Sequence, residues 1–492
     1  MSSNFHSNFQ RQTPLLDSLK TLIDRPHAAF YTPGHKQGQG ISQNLAKLLG
    51  NSVFKADLSE LPELDNLYAP VASIKAAQDL AAQAFGAEQT WFLVNGSTCG
   101  IQAAILATCS EGEKIILPRN VHQSAIAGLI FSGAVPIFLD PPYNPQQDLT
   151  YSITPEAVAE ALEAHPDVRS IMTIYPTYNG ICGDIEAIKN LAHKHGIPLL
   201  VDEAHGPHLS FHPDLPTSAL AAGADLTIQS SHKVIGAMTQ ASMLHVKGSR
   251  IDRSRLNRSL QILQSTSPSY LLLASLDAAR QQMATQGEEL LSHTLQLSIR
   301  AINNLSQLKQ IQVLKKPTQK IPGFFDLDIT RLTVDISRLE INGFTADEIL
   351  HHKLGVTAEL TMLQNLTFII SIGNTLSDIE KLIQGFATLT AQYGTRENEQ
   401  ILPVLPLPTS HRSNPISPRE AFLSPTENLP IEKTIDRISA ELICPYPPGI
   451  PILMPGEKIS ASALNFLEKV LATGGTITGC SDTSLKTLKV VH

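Results

Sequence analysis

Apolar positions along the chain change their period near residue 73. Ahead of it, Leu15, Leu16, Leu19, Leu22 and Ile23 recur at helical spacing behind Thr13-Pro14, which reads as a helix cap and a first-turn proline. From the Tyr31-Thr-Pro-Gly-His-Lys36 run to Pro70, turn formers and carboxylates dominate and an irregular segment is expected. From Ser73 onward, short unbroken apolar runs alternate with amphipathic stretches. Helices are predicted over Ile74 to Phe85, ended by Gly86, and over Thr98 to Thr108, His122 to Phe131, Pro155 to Ala164 and Ile185 to His195. Strands are predicted at Thr90 to Val94, Lys114 to Leu117, Val135 to Leu139, Ser170 to Tyr175, Leu199 to Val201 and Leu226 to Gln229. Strands without polar alternation, separated by helices, predict an α/β fold with a mainly parallel sheet covered on both faces.

Past Ile251 the pattern is helical to about Leu308. Between Pro322 and Ala387 strands and helices mix, as in Leu332 to Ile336, Ala346 to Lys353 and Leu366 to Ile370. The stretch Arg396 to Pro418 is rich in Pro, Ser and Asn and reads as a linker. The expected organisation is an N-terminal helix with an extended segment (1–70), a large domain (71–310), a small α+β domain (311–395), a linker (396–418) and a C-terminal domain (419–492).

Length and composition narrow the function classes. The chain has 492 residues, 42% hydrophobic and 17% charged, an ordinary globular balance with ample length for a buried core. Its net charge of −8 argues against nucleic acid as the main partner, because phosphate binding needs a basic face. The five cysteines (Cys99, Cys109, Cys182, Cys444, Cys480) form no C-x-x-C pair, so neither a disulfide framework nor a cysteine zinc site is expected. The polar start, Met1 to Gln12, lacks a signal-peptide core. The longest nearly charge-free apolar stretch, Ser124 to Leu139, is shorter than the roughly 20 residues of a spanning helix and contains Pro136. A cytoplasmic protein without membrane insertion is expected.

In an open parallel sheet, ligands bind beyond the carboxyl ends of the strands. The first strand runs into Asn95-Gly-Ser-Thr98 and then a helix. Glycine admits a ligand close to the backbone, and hydroxyls and free helix N–H groups suit a phosphate. The same residues also make an ordinary capped turn. Leu199-Leu-Val201 ends in Asp202-Glu-Ala-His-Gly206; a carboxylate there needs a cation or ligand, or else caps the next helix. Pro207 separates His205 from His208 and disfavours a metal site. The strand Leu226 to Gln229 ends in Ser230-Ser-His-Lys233. A lysine there is either an exposed turn residue or an amine suited to Schiff-base chemistry. Together, an anion cup, a strand-end carboxylate and a strand-end lysine meet the needs of pyridoxal phosphate: its phosphate, its ring nitrogen and its aldehyde. His122, at the start of its helix, is placed either to cap that helix or to stack on a ring.

These runs resemble the Orn/Lys/Arg decarboxylase family, pyridoxal-phosphate enzymes of the aspartate-aminotransferase fold (fold type I). The resemblance is carried by Tyr31-Thr-Pro-Gly-His-Lys36, Asn95-Gly-Ser-Thr98, Arg119-Asn-Val-His122, Val201-Asp-Glu-Ala-His205, Ser230-Ser-His-Lys-Val234, Gln240-Ala-Ser-Met243, Thr266-Ser-Pro-Ser-Tyr270 and Pro445-Tyr-Pro-Pro-Gly449. It spans about Pro14 to Glu457. It implies that Lys233 holds the cofactor as a Schiff base, that Asp202 meets the pyridine nitrogen and that His122 stacks on the ring. Gly96, Ser97, Thr98, Ser230 and His232 would bind the phosphate, and His205 would lie beside the ring. Thr266 would reach the phosphate of a neighbouring subunit, making a homodimer the smallest active unit. Because the Thr-Pro-Gly-His motif begins at Thr32, no N-terminal wing domain and no ring assembly built on one are expected. Cys99-Gly-Ile-Gln102 departs from the family pattern, and Asp436 stands where glycine is usual.

The implied reaction is decarboxylation of arginine, lysine or ornithine to the amine of a polyamine pathway. Asp202, His122, His232 and Lys233 are the candidate catalytic residues, with Lys233 or His232 returning a proton to Cα. Glu359 and Glu457 resemble, by their neighbourhoods, partners for the distal cation of the substrate. An aminotransferase, a carbon–sulfur lyase or a non-catalytic homologue would share the same sheet and cofactor residues.

Overall fold

The computed structural model describes residues 9–394, 415–446 and 450–492. Most of the linker stretch and Pro447 to Gly449 of the Pro-Tyr-Pro-Pro-Gly run lie outside the described residues. Seven strands belong to one mainly parallel sheet: β1 (Gln89–Leu93), β2 (Lys114–Pro118), β3 (Val135–Leu139), β4 (Val168–Ile174), β5 (Leu199–Asp202), β6 (Leu226–Gln229) and β7 (Ser242–Val246). Two compact units divide the chain: Met1–Ala107 with Val201–Leu291, and Thr108–Leu200 with Ser292–His492.

In the first unit β7 runs antiparallel to both of its neighbours, with Leu93 opposite Ser242 and Met243 opposite Gln229. This strand was legible only as a motif; its five residues are all buried and carry no alternation. The helix Gly96–Thr108 follows β1 almost at once, and Gly100 lets it lie close to the sheet. A Cβ there would come within 2.8 Å of Ile228 and Leu93 side-chain carbons. That contact gives Gly100, inside the departing Cys99-Gly-Ile-Gln102 run, a packing reason.

The N-terminal helix Pro14–Ile23 buries Leu15, Leu19 and Leu22, each contributing about 1.5–3 kcal/mol of transfer free energy. Its cap differs from the expectation. Thr13 makes no side-chain cap bond, and the Asp277 carboxylate instead accepts from Leu15 N at 3.0 Å. Asp277 sits in the 36-residue helix Tyr270–Leu305, fully buried and ion-paired with Arg280, which also donates to Gln10 O at 2.8 Å. A carboxylate at a helix N-terminus satisfies free N–H groups and favours the helix dipole. The helix Ser73–Phe85 is capped in a similar way by Asp65, which accepts from Ala72 N at 2.7 Å and from Ile74 N at 3.2 Å, and it ends at left-handed Gly86.

The second unit holds the parallel ladders, with Lys114 opposite Val135 and Ile116 opposite Ile171. It also holds a four-stranded antiparallel sheet of β8 (Gln312–Val313), β9 (Arg331–Asp335), β10 (Leu360–Thr361) and β11 (Asn365–Ile369), ordered β8-β9-β11-β10. The helices Gly343–Leu354 and Leu376–Tyr393 pack their apolar faces into a core with this sheet, including Leu350, Leu366, Phe368, Leu382 and Phe386. Residues beyond 415 close a separate core around Ile443, Leu453, Ile459, Leu467 and Leu488. There Asp436 adopts φ 68, a left-handed conformation that glycine enters freely and Asp more readily than most residues. Among the described residues no helix is long and apolar enough to cross a membrane.

Candidate active site

Strands β1, β5 and β6 bring most of the singled-out residues to their ends. β1 leads through Val94 and Asn95 to Gly96, whose φ of 75 lies in the left-handed region and turns the chain into the following helix. The turn is anchored from behind. Val94 N donates to Gln264 Oε1 at 2.9 Å, and Ser265 N donates to Asn95 Oδ1 at 3.3 Å. Ser97 Oγ accepts from Ser230 Oγ at 2.8 Å, so the ends of β1 and β6 present two hydroxyls side by side. With the N–H groups of the helix start, that pair suits a phosphate. Thr98 and Thr266 are exposed.

Asp202 ends β5, half-buried, with Oδ1 accepting from Ala204 N at 3.1 Å. Lys233 lies in the short helix Ser231–Val234 beyond β6, and its Nζ is 3.0 Å from His205 Nε2. When Lys233 is charged it donates to Nε2, which puts the imidazole proton on Nδ1. His232 donates both its backbone N–H, at 3.2 Å, and Nδ1–H, at 3.0 Å, to the Ala241 carbonyl, which leaves Nε2 as its acceptor nitrogen. The amine is thus held by a side chain, and His232 is held by backbone.

Behind these residues runs a buried polar chain that sequence reading missed. Glu203, next to Asp202, is fully buried; it accepts from Ala219 N at 2.7 Å and from Gln229 Nε2 at 2.8 Å. Burial pushes its carboxyl up to about 7, against the lowering effect of those two bonds. Gln229 Oε1 accepts from His245 Nε2 at 3.1 Å, and His245 Nδ1 accepts from the Thr90 hydroxyl at 2.8 Å. Burial pushes His245 down to about 3, so the ring is neutral. The chain joins β1, β7, β6 and the end of β5, the strands that carry the cup, the lysine and Asp202. Cys99, under the cup, is pushed up to about 12 by burial and is a packing residue, not a nucleophile.

Within the second unit, His122 is the N-cap of the helix Gln123–Ser132. Its Nδ1 accepts from Ser124 N at 3.2 Å and faces Ser124 Oγ at 2.9 Å, so the ring proton sits on Nε2. The capping role weighed from sequence is thus real. Glu457 is buried and accepts from Arg119 Nη2 at 2.9 Å and from Met454 N at 2.9 Å. It is committed inside the protein, which removes it as a partner for a substrate cation. Glu359 is exposed and lines a cleft of about 380 Å³ with Phe368, Ile370, Asp378 and Lys381.

The family description "Orn/Lys/Arg decarboxylase, major domain" matches residues 13–330, and that of the family's C-terminal domain matches residues 410–480. The chain belongs to the Orn/Lys/Arg decarboxylase family. It is therefore a decarboxylase of basic amino acids. An arginine decarboxylase of Bacillus subtilis is 37% identical over 487 residues, which cover 98% of each chain. The constitutive lysine decarboxylase of Escherichia coli is 25% identical, covering 94% of this chain and 78% of that one. The solved lysine decarboxylase of Francisella novicida shares the fold with a TM-score of 0.82 at 23% identity, covering 97% of this chain and 81% of that one. The fold is PLP fold type I.

Proposed function

We propose that this chain is a pyridoxal-phosphate-dependent arginine decarboxylase that acts as a homodimer in the cytoplasm. The observation that carries the chemistry is that strands of one sheet end in the Ser97–Ser230 hydroxyl pair, the Asp202 carboxylate and the Lys233 amine, which lies 3.0 Å from His205 Nε2. The left-handed Gly96 and the hydroxyl pair fit a phosphate, and the half-buried amine held by His205 fits an aldehyde anchor. The preference for arginine rests on the full-length similarity to an arginine decarboxylase, against the weaker similarity to lysine decarboxylases.

Gly96, Ser97, Thr98, Ser230 and His232 hold the phosphate, with Thr266 reaching in from a second copy. Asp202 would keep the ring nitrogen protonated, and His122 would cover the ring face. When bound, pyridoxal phosphate supplies a pyridinium that takes up the charge left at Cα as CO₂ departs. Lys233 would hold the aldehyde until the substrate amine takes its place, and the freed lysine amine would then return a proton to Cα. His205 holds that amine in place and stands ready to share its proton. His232 is assigned to binding because its Nδ1–H is committed to Ala241.

The test is a product assay on arginine, lysine and ornithine with added cofactor. Arginine is expected to release CO₂ and its amine with kcat/KM roughly a hundredfold or more above the other two. Equal turnover of lysine would overturn the substrate assignment, and keto-acid formation without CO₂ would overturn the reaction.

A further inference from the structure

The motif Arg119-Asn-Val-His122 ends in the histidine proposed to cover the ring, yet its first residue faces another part of the chain. Arg119 is 5% exposed. Its backbone N–H donates to Leu139 O at 2.8 Å, extending the β2–β3 ladder. Its Nη2 donates to Ile452 O at 3.0 Å and to Glu457 Oε2 at 2.9 Å, both in the segment beyond residue 415. The guanidinium also lies 5.4 Å from the Phe138 ring centroid. Among the described residues its Nε and Nη1 have no hydrogen-bond partner, so Glu457 supplies the main compensation for a buried cation. Glu457, 2% exposed, is itself fixed by Met454 N. Three residues after Arg119 the loop ends at His122, which closes the helix start through Ser124.

We propose that Arg119 is a positioning residue: through its ion pair with Glu457, the C-terminal segment sets the loop that carries His122. The inference rests on the reading of His122 as the residue over the cofactor ring. Surface ion pairs contribute little to rigidity, whereas a desolvated pair with satisfied backbone partners has one geometry and is costly to break. Arg119 therefore transmits the position of the Ile452–Glu457 turn to the His122 loop without touching substrate.

The test uses the full chain and three variants. Removing one charge alone leaves the other buried and risks misfolding, so the pair is replaced together in Arg119→Met/Glu457→Met, an exchange that buried pairs often tolerate. The second variant is His122→Ala and the third combines all three substitutions. Hydrogen exchange at the Ser124 amide is measured without cofactor, and the dissociation constant of pyridoxal phosphate is measured by titration. The double Met variant is expected to exchange at least roughly tenfold faster and to bind the cofactor roughly tenfold more weakly. The triple variant is expected to bind no more weakly than His122→Ala, because both changes act through one group. Parental exchange and affinity in the double Met variant, with weakened binding in His122→Ala, would overturn the inference alone. Parental affinity in His122→Ala would overturn the reading of His122 and the inference with it.

Discussion

Glu203→Gln tests whether the buried polar chain behind the site has the electrostatics assigned to it. Below pH 4.5, the ordinary value for a glutamate, the carboxyl carries its proton in both folded and unfolded chains. Between 4.5 and about 7 the unfolded chain releases that proton while the native state keeps it, so stability falls as pH rises. Above about 7 both states are ionised and the loss is complete, about 3 kcal/mol at 1.36 kcal/mol per pKa unit. Glutamine removes the titration without removing the hydrogen-bonding chain. Its Oε1 accepts from Ala219 N, and its amide donates to a turned-over Gln229. That amide in turn donates to His245 Nε2, and the ring proton moves to Nδ1 and points at the Thr90 hydroxyl. The variant is thus expected to match its parent near pH 4.5 and to gain on it by about 3 kcal/mol by pH 8. For the roughly 200 residues of the first unit, that widens the melting-temperature gap by roughly 6–12 °C. The assay is thermal unfolding of parent and variant at both pH values, in which other titrating groups cancel in the difference. A gap that is the same at pH 4.5 and pH 8 would refute the assignment.

Three further outcomes are expected. Asp202→Asn removes the charge assigned to the ring nitrogen and should lower kcat by roughly a thousandfold while leaving phosphate affinity unchanged; steady-state kinetics and equilibrium dialysis with inorganic phosphate check both halves. Gly100→Ala would place a Cβ 2.8 Å from Ile228 and Leu93 carbons, and should cost about 1–3 kcal/mol in thermal unfolding. Asp277→Ala strips the buried Arg280 of its counter-charge and the N-terminal helix of its cap; a loss of about 3–5 kcal/mol in urea unfolding is expected, with early proteolysis ahead of Ser73.

Most of the sheet was legible because its strands are short apolar runs separated by helices, and each predicted strand lies within two residues of an observed one. The strand Ser242–Val246 escaped because Ser242 and His245 interrupt its apolar run. The cup and the strand-end lysine were readable since each is contiguous in sequence. What joins them was not. Thr90 and His245 meet across the sheet from positions 155 residues apart, and Lys233 meets His205 across 28. The cap of the first helix comes from Asp277 rather than from Thr13, because a carboxylate brought in by the fold satisfies the free N–H groups that the local hydroxyl does not reach. Glu457 illustrates the opposite error: a carboxylate in a recognisable neighbourhood was weighed as a substrate partner, while Arg119 had already claimed it.

The central claim is that the amine of Lys233, and no other, carries the cofactor. Reduction of the enzyme with borohydride in the presence of pyridoxal phosphate, followed by peptide mapping, tests it directly. One pyridoxyl group is expected on the peptide containing Ser230-Ser-His-Lys233, with loss of both label and turnover in Lys233→Ala. Label on a different lysine, or turnover persisting in that variant, would contradict it.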